Sequence, residues 1–188
     1  MSDKHAVRII GGKYKGKLLP VRNSDGLRPT PDRVKETVFT WIQNNIKNAS
    51  VLDLFAGSGA LGFEALSRGA KHITLVELNY LNFNLLCEQA NSFDEKEKIS
   101  IINDDALNYL EKCKEKFDII FLDPPYKAHL LKPALESLLK RDIISEHTLL
   151  YVEMNSGDNE SIAGYEKLKE QIAGQAKYSL WQKSSFLF

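Results

Sequence analysis

Between residues 51 and 152, short continuously apolar runs alternate with longer segments whose apolar residues recur every three or four positions. The runs at 51–55, 73–78, 99–102, 117–122 and 148–152 are strand-length, and helical patterns such as GALGFEALSRG, ALNYLEKC and HLLKPALESLLK follow them. Strands apolar on both faces, each followed by a helix, predict a parallel sheet covered on both sides. The run FDIIFL is stopped by Pro124 and Pro125, which cannot donate to a ladder. The C-terminal YEKLKEQIAGQAKYSLWQKSS instead alternates polar and apolar residues about Gly174, predicting an antiparallel hairpin at the sheet edge.

The first part of the chain has a different texture. RIIGGKYKGKLLPV, residues 8–21, reads as a hairpin with lysines on its loop. Pro29 and Pro31 exclude regular structure there, and Asp32 is placed to cap a helix carrying Val34, Val38, Phe39 and Ile42 on one face. The predicted organisation is a small extension over 1–48 ahead of an α/β body over 49–188.

With 43% hydrophobic and 27% charged residues, the 188-residue chain has the makeup of a globular protein. It lacks an apolar run of the roughly 18 residues needed to span a bilayer, and its first residues carry no secretory pattern, so a soluble cytoplasmic protein is expected. Cys87 and Cys113 read as reduced thiols on helices, and the four histidines are scattered singly, so no metal site is expected. The net charge of zero conceals a division: residues 1–35 carry nine basic and three acidic side chains, +6, and the remainder −6. Such asymmetry suggests an arm for a polyanion on an acidic body.

In an open parallel sheet, ligands bind beyond the carboxyl ends of the strands. Here the first four strands end in acids: Asp53, Glu77, Asp104 with Asp105, and Asp123. One such acid is ordinarily a helix cap or a solvated loop residue, but four in succession point to a shared site. Gly57-Ser58-Gly59-Ala60-Leu61-Gly62 matches the dinucleotide pattern GxGxxG, and Glu77 follows Gly57 by 20 positions. A pyrophosphate on that helix would nevertheless face several carboxylates, an arrangement costing several kcal/mol. A cationic ligand without phosphate suits the rim better; S-adenosyl-L-methionine, with its sulfonium, ammonium and ribose diol, is such a ligand.

LDLFAGSGALG, Glu77, Asp105-Ala106 and Asp123-Pro124-Pro125-Tyr126 resemble the motifs of class I S-adenosylmethionine-dependent methyltransferases, and the DPPY form is typical of those that methylate amino nitrogens. With RIIGG, LRPT and FAGSGALGFEALSRGA, the chain resembles the bacterial 16S rRNA guanine-N2 methyltransferase family, RsmD, from Arg8 to Lys183. The resemblance implies a Rossmann-like, mostly parallel seven-stranded sheet and a cytoplasmic enzyme of rRNA processing. Its substrate would be 16S rRNA within the small subunit or an assembly intermediate. It further implies a cofactor pocket from Asp53, Phe55, Ala56, Gly57, Ser58, Gly59, Glu77, Leu78, Asp104, Asp105, Ala106 and Asp123. Asp123, Pro124, Pro125 and Tyr126 would form the catalytic turn. Arg8, Lys13, Lys15, Lys17, Arg28, Thr30, Arg33, Lys35 and Lys127 would meet RNA. A DNA or other RNA adenine-N6 methyltransferase, a dinucleotide-dependent oxidoreductase and an inactive RNA-binding relative are the alternatives.

Overall fold

The computed structural model describes residues 6–22, 30–141 and 143–184. Two short strands, β1 (Ala6–Arg8) and β2 (Leu18–Pro20), pair antiparallel, and the helix α1 (Asp32–Trp41) follows. The expected cap of α1 is displaced by one residue. Pro31 occupies the N-cap and Asp32 the first turn, where its carboxylate pairs with Arg8 and Lys35 instead of capping. Proline suits this boundary because its fixed φ fits the extended N-cap, and it has no N–H left to satisfy ahead of the first turn.

The lysine-rich loop is held to the body by a buried acid. Glu64 lies on α2 (Ala60–Ser67), is fully buried, and accepts from the backbone amides of Ile10 (2.8 Å) and Gly11 (2.9 Å). Arg68 supplies its counter-charge at 2.7 Å. Ser67 completes the contact, its carbonyl accepting from the Lys13 amide and its hydroxyl from the Tyr14 amide. Gly12 sits there at φ 76, and a Cβ on it would meet the Ser67 carbonyl oxygen at 1.9 Å, so only glycine fits. Val7, Ile9, Leu19, Val38, Phe39 and Ile42 join one apolar cluster with Val51 and Phe121 of the sheet.

The sheet is built from β3 (Ser50–Asp53), β4 (His72–Val76), β5 (Ile99–Ile102), β6 (Phe117–Leu122), β7 (Ile144–Asn155), β8 (Tyr165–Ala173) and β9 (Ala176–Lys183). Its order is β5-β4-β3-β6-β7-β9-β8, parallel except where β9 pairs antiparallel with β7 and β8. β3 and β6 are central and apolar on both faces, so their backbone polar groups are satisfied by neighbouring strands while both sets of side chains enter the core. A second apolar cluster on the opposite face includes Leu52, Leu122, Leu150 and Leu135. The helices α3 (Tyr80–Ala90), α4 (Ala106–Lys112) and α5 (Leu131–Leu139) complete the layers. No described helix is long and apolar enough to cross a membrane. The fifth parallel strand is longer than its apolar run, because pairing with β9 extends it as far as Asn155.

Lys35, expected to meet RNA, points the other way. It is fully buried, and its ammonium donates to the Arg8 carbonyl (2.5 Å) and pairs with Asp32 at 3.0 Å. A buried ammonium must be paired, and here the pairing ties α1 to β1.

Candidate active site

The order reverses between β3 and β6, which sit side by side while the chain winds outward in both directions, and such a point opens a crevice at the strand ends. β3 enters it through Asp53, then the turn Phe55–Gly59. Gly57 and Gly59 have φ of 53 and 75, and Gly59 opens α2 as its N-cap. A Cβ on Gly59 would meet the Phe63 ring at 2.5 Å, so a side chain there would be both strained and crowded. The turn is anchored from outside: the Ala56 amide donates to the Val76 carbonyl, and the Gly57 amide to Glu77 Oε2 at 2.8 Å.

Glu77, at the end of β4, therefore braces the glycine turn, while its other oxygen accepts from the Asn79 amide at 2.7 Å. Asn103 was not expected. Its amide reaches the carbonyls of Glu77 and Leu78, fixing the bend that leaves Leu78 67% exposed at the lip. Burial raises the pKa of Glu77, and the two backbone donors act against that rise. Asp53 is buried and accepts from the Gly62 amide at 3.2 Å; desolvation first, and Glu77 second among the raising influences, push its carboxyl up to about 7.

The paired aspartates after β5 separate into two roles. Asp105 is the N-cap of α4, accepting from the Leu107 and Asn108 amides, and both of those hydrogen bonds fall on Oδ1. Asp104 accepts from the Asn108 side chain at 2.7 Å and pairs with Lys112 at 3.2 Å, contacts that hold its carboxyl below the usual range. Ala106 is buried in the first turn behind them.

After β6 come Asp123, the buried Pro124, the exposed Pro125 and Tyr126. Desolvation chiefly, then repulsion from Glu153 and Asp53, keep the Asp123 carboxyl protonated well above its ordinary range. Glu153, on the neighbouring strand β7, was missed by the sequence reading. It accepts from the hydroxyls of Tyr126 and Tyr151, each at 2.8 Å. Its position in LLYVEMN looks like one more alternation of a sheet strand; only the adjacency of β6 and β7 discloses it.

Of the expected RNA contacts, Arg8, Lys13, Lys15 and Arg33 are exposed. Lys13 pairs with Glu95 at 3.2 Å, and Lys17 donates to the Ser92 carbonyl over the Phe93 ring. Thr30 is half-buried just ahead of α1. Arg28 and the side chain of Lys127 lie outside the described residues. Among the described residues, no cluster of His, Cys, Asp or Glu could hold a metal ion.

Counted from β3, the sheet runs third, second, first, fourth, fifth, seventh, sixth, with the seventh antiparallel to the others; with a glycine turn after the first strand and DPPY after the fourth, this is the class I methyltransferase fold. Comparison with known proteins narrows the class. The chain belongs to the family described as Conserved hypothetical protein 95, whose model matches residues 7–182. It is 41% identical over 184 residues to the Ribosomal RNA small subunit methyltransferase D of Haemophilus influenzae, covering 95% of each chain. With the protein of that name from Escherichia coli K12 it shares 38% over 186 residues, covering 98% of this chain and 93% of that one. The solved structure of yhhF from Escherichia coli superposes with a TM-score of 0.88 at 35% identity, over 97% of this chain and 100% of the other.

Proposed function

We propose that this protein transfers a methyl group from S-adenosylmethionine to the exocyclic N2 amine of a guanine in 16S rRNA. The observation that carries the reading is the DPPY turn at the end of β6, adjacent to the β3 glycine turn at the reversal point, with Asp123 facing the field of Asp53 and Glu153. The names of the two curated relatives supply the substrate class.

The residues present fit the cofactor. Positive-φ glycines make a turn whose backbone a ligand can approach closely, and acids whose pKa is raised by burial and mutual repulsion would be favoured in their ionised forms by a cation and further disfavoured by a phosphate. Asp53, Phe55, Ala56, Gly57, Ser58 and Gly59 would hold its amino-acid end, Glu77 and Leu78 its ribose, and Asp105 with Ala106 its base. Asp105 is the better candidate of the aspartate pair, because both oxygens of Asp104 are engaged. When bound, S-adenosylmethionine supplies a methyl group made electrophilic by the sulfonium.

The protein's part is alignment and charge. A guanine amine is a weak nucleophile because its lone pair is delocalised into the ring. Acceptors on its hydrogens favour the pyramidal, more nucleophilic nitrogen and stabilise the positive charge that develops there. The Asp123 carboxyl, whose ionised form a cation at the amine would favour against the burial and repulsion that raise its pKa, and the Pro124 carbonyl serve as those acceptors. Tyr126 supplies a face on which the base stacks, a contact of roughly 1–3 kcal/mol. A base inside structured RNA must be exposed or flipped to reach it. The extension over 1–48 meets the phosphates through Arg8, Lys13, Lys15, Lys17 and Arg33, within the small ribosomal subunit or an assembly form of it in the cytoplasm.

The test is calorimetric titration with S-adenosylmethionine and with NAD, followed by transfer of labelled methyl to 16S rRNA in small-subunit particles. Cofactor binding, one new methylguanine, and loss of transfer in Asp123→Ala with cofactor affinity held within about twofold are expected. Tight binding of NAD alone would overturn the reading. Equal loss of binding and transfer would make Asp123 structural.

A further inference from the structure

We propose that Glu153 is a positioning residue of the methyl-transfer site, its carboxylate anchoring Tyr126 to β7 and so fixing the ring that receives the target base. The inference rests on the stacking role given to Tyr126 above. Tyr126 begins a single turn of 3-10 helix, Tyr126–Ala128, directly after two prolines, and its residue is 38% exposed. One turn beyond a strand end is a weak platform, because few intrahelical hydrogen bonds hold it.

What steadies the ring lies across the sheet. Glu153 Oε1 accepts from the Tyr126 hydroxyl and Oε2 from the Tyr151 hydroxyl, both at 2.8 Å. Tyr151 is fully buried, its ring edge-on to Phe121 with centroids 5.8 Å apart, and it stands two residues before Glu153 on the same face of β7. The chain of contacts therefore runs from a rigid core aromatic, through a carboxylate, to the catalytic turn. Each phenol donates to its own oxygen of Glu153, an arrangement that both oxygens of the acid can meet and an amide, with one acceptor oxygen, cannot. Burial and the nearby Glu153 charge keep Tyr151 in its protonated, donating form. The carboxylate also stands beside Asp123, so the same side chain orders the stacking ring and contributes to the field around the amine's acceptor.

A shared hydrogen bond makes a specific demand on mutants: removing either end removes the same interaction. Glu153→Gln, Tyr126→Phe and the double variant are compared for turnover on small-subunit particles and for S-adenosylmethionine affinity. Each single variant should lose about tenfold or more in kcat, the scale of a hydrogen bond to a charged acceptor, with cofactor affinity preserved. The double variant should fall no further than the worse single. Either single variant at the wild-type rate, or a double loss equal to the product of the singles, overturns the proposal. If Glu153→Gln does not fold, Tyr126→Phe alone must show the loss. A second readout needs no turnover: resonances of an isotope-labelled Tyr126 ring should show restricted flipping in the wild type and rapid flipping in Glu153→Gln, and equal flipping in both overturns the anchor. A wild-type protein that transfers no methyl to rRNA would instead defeat the functional reading while leaving the ring measurement to judge Glu153.

Discussion

Asp53 makes the folded protein less stable as the solution becomes less acidic, and replacing it with asparagine should remove that penalty. Its carboxyl is pushed from an ordinary 3.8 up to about 7, chiefly by burial. Below pH 4 the group is protonated in folded and unfolded chains alike. Between pH 4 and 7 the unfolded chain ionises while the folded one retains its proton, so stability falls as pH rises, and it levels off above 7. A climb of about three pH units at ~1.4 kcal/mol each amounts to about 4 kcal/mol, of which about 3 falls between pH 5 and 8. An asparagine in its place would still offer an oxygen to the Gly62 amide, 3.2 Å away, but would not titrate. Removing the charge also relieves Asp123, which Asp53 repels, and that works in the same direction. Urea unfolding of wild type and Asp53→Asn at pH 5 and pH 8 measures the effect. The stability of the variant relative to wild type should rise by about 3 kcal/mol between the two pH values. A relative stability that stays constant within about 1 kcal/mol would refute the assignment of a high-pKa carboxyl beneath the glycine turn.

Two further outcomes separate the arm's surface from its supports. Charge reversal of the exposed Lys15 and Arg33 should weaken rRNA binding and flatten its salt dependence, by about one unit of slope for each phosphate no longer neutralised, while S-adenosylmethionine binding is preserved. Filter binding across a salt series would show it, and an unaltered slope would contradict the arm's role. Lys35→Met should behave oppositely: the buried ammonium holding Arg8 and Asp32 is removed, costing about 1–3 kcal/mol in unfolding experiments, with the salt slope of rRNA binding unchanged.

The parallel sheet was legible because its strands are buried on both faces. VLDLF and FDIIFL could hardly occupy an edge or a solvated face, and the prolines after FDIIFL mark where the fourth strand must stop. The glycine turn and DPPY were legible for the same local reason, since their chemistry is confined to consecutive residues. Charged side chains were harder. Lys35 follows a string of basic residues that all look solvent-facing, and only the packing of α1 on β1 buries it. Asp105 looks like a member of an acidic rim yet spends one oxygen on capping α4. Glu64 sits inside GFEALSRG, where a lone acid ordinarily faces water; its partners are backbone amides 53 and 54 residues earlier, groups that carry no residue-specific signature. Glu153 likewise depends on which strand lies beside DPPY, and strand order is a property of topology that periodicity does not encode.

The Glu64 clasp also sets an order of events for a chain made from its N-terminus. The lysine-rich loop leaves the ribosome more than fifty residues before the carboxylate that receives its amides, so until then only the β1–β2 pairing and the turn's own hydrogen bonds can hold it. Closing the clasp across that span carries the entropy of a long loop, and its carboxylate rides on α2, which packs on β3 and β4. The cationic arm thus takes its Glu64 anchor from the body. A nascent chain arrested before residue 64 would carry the charge of the arm without this anchor.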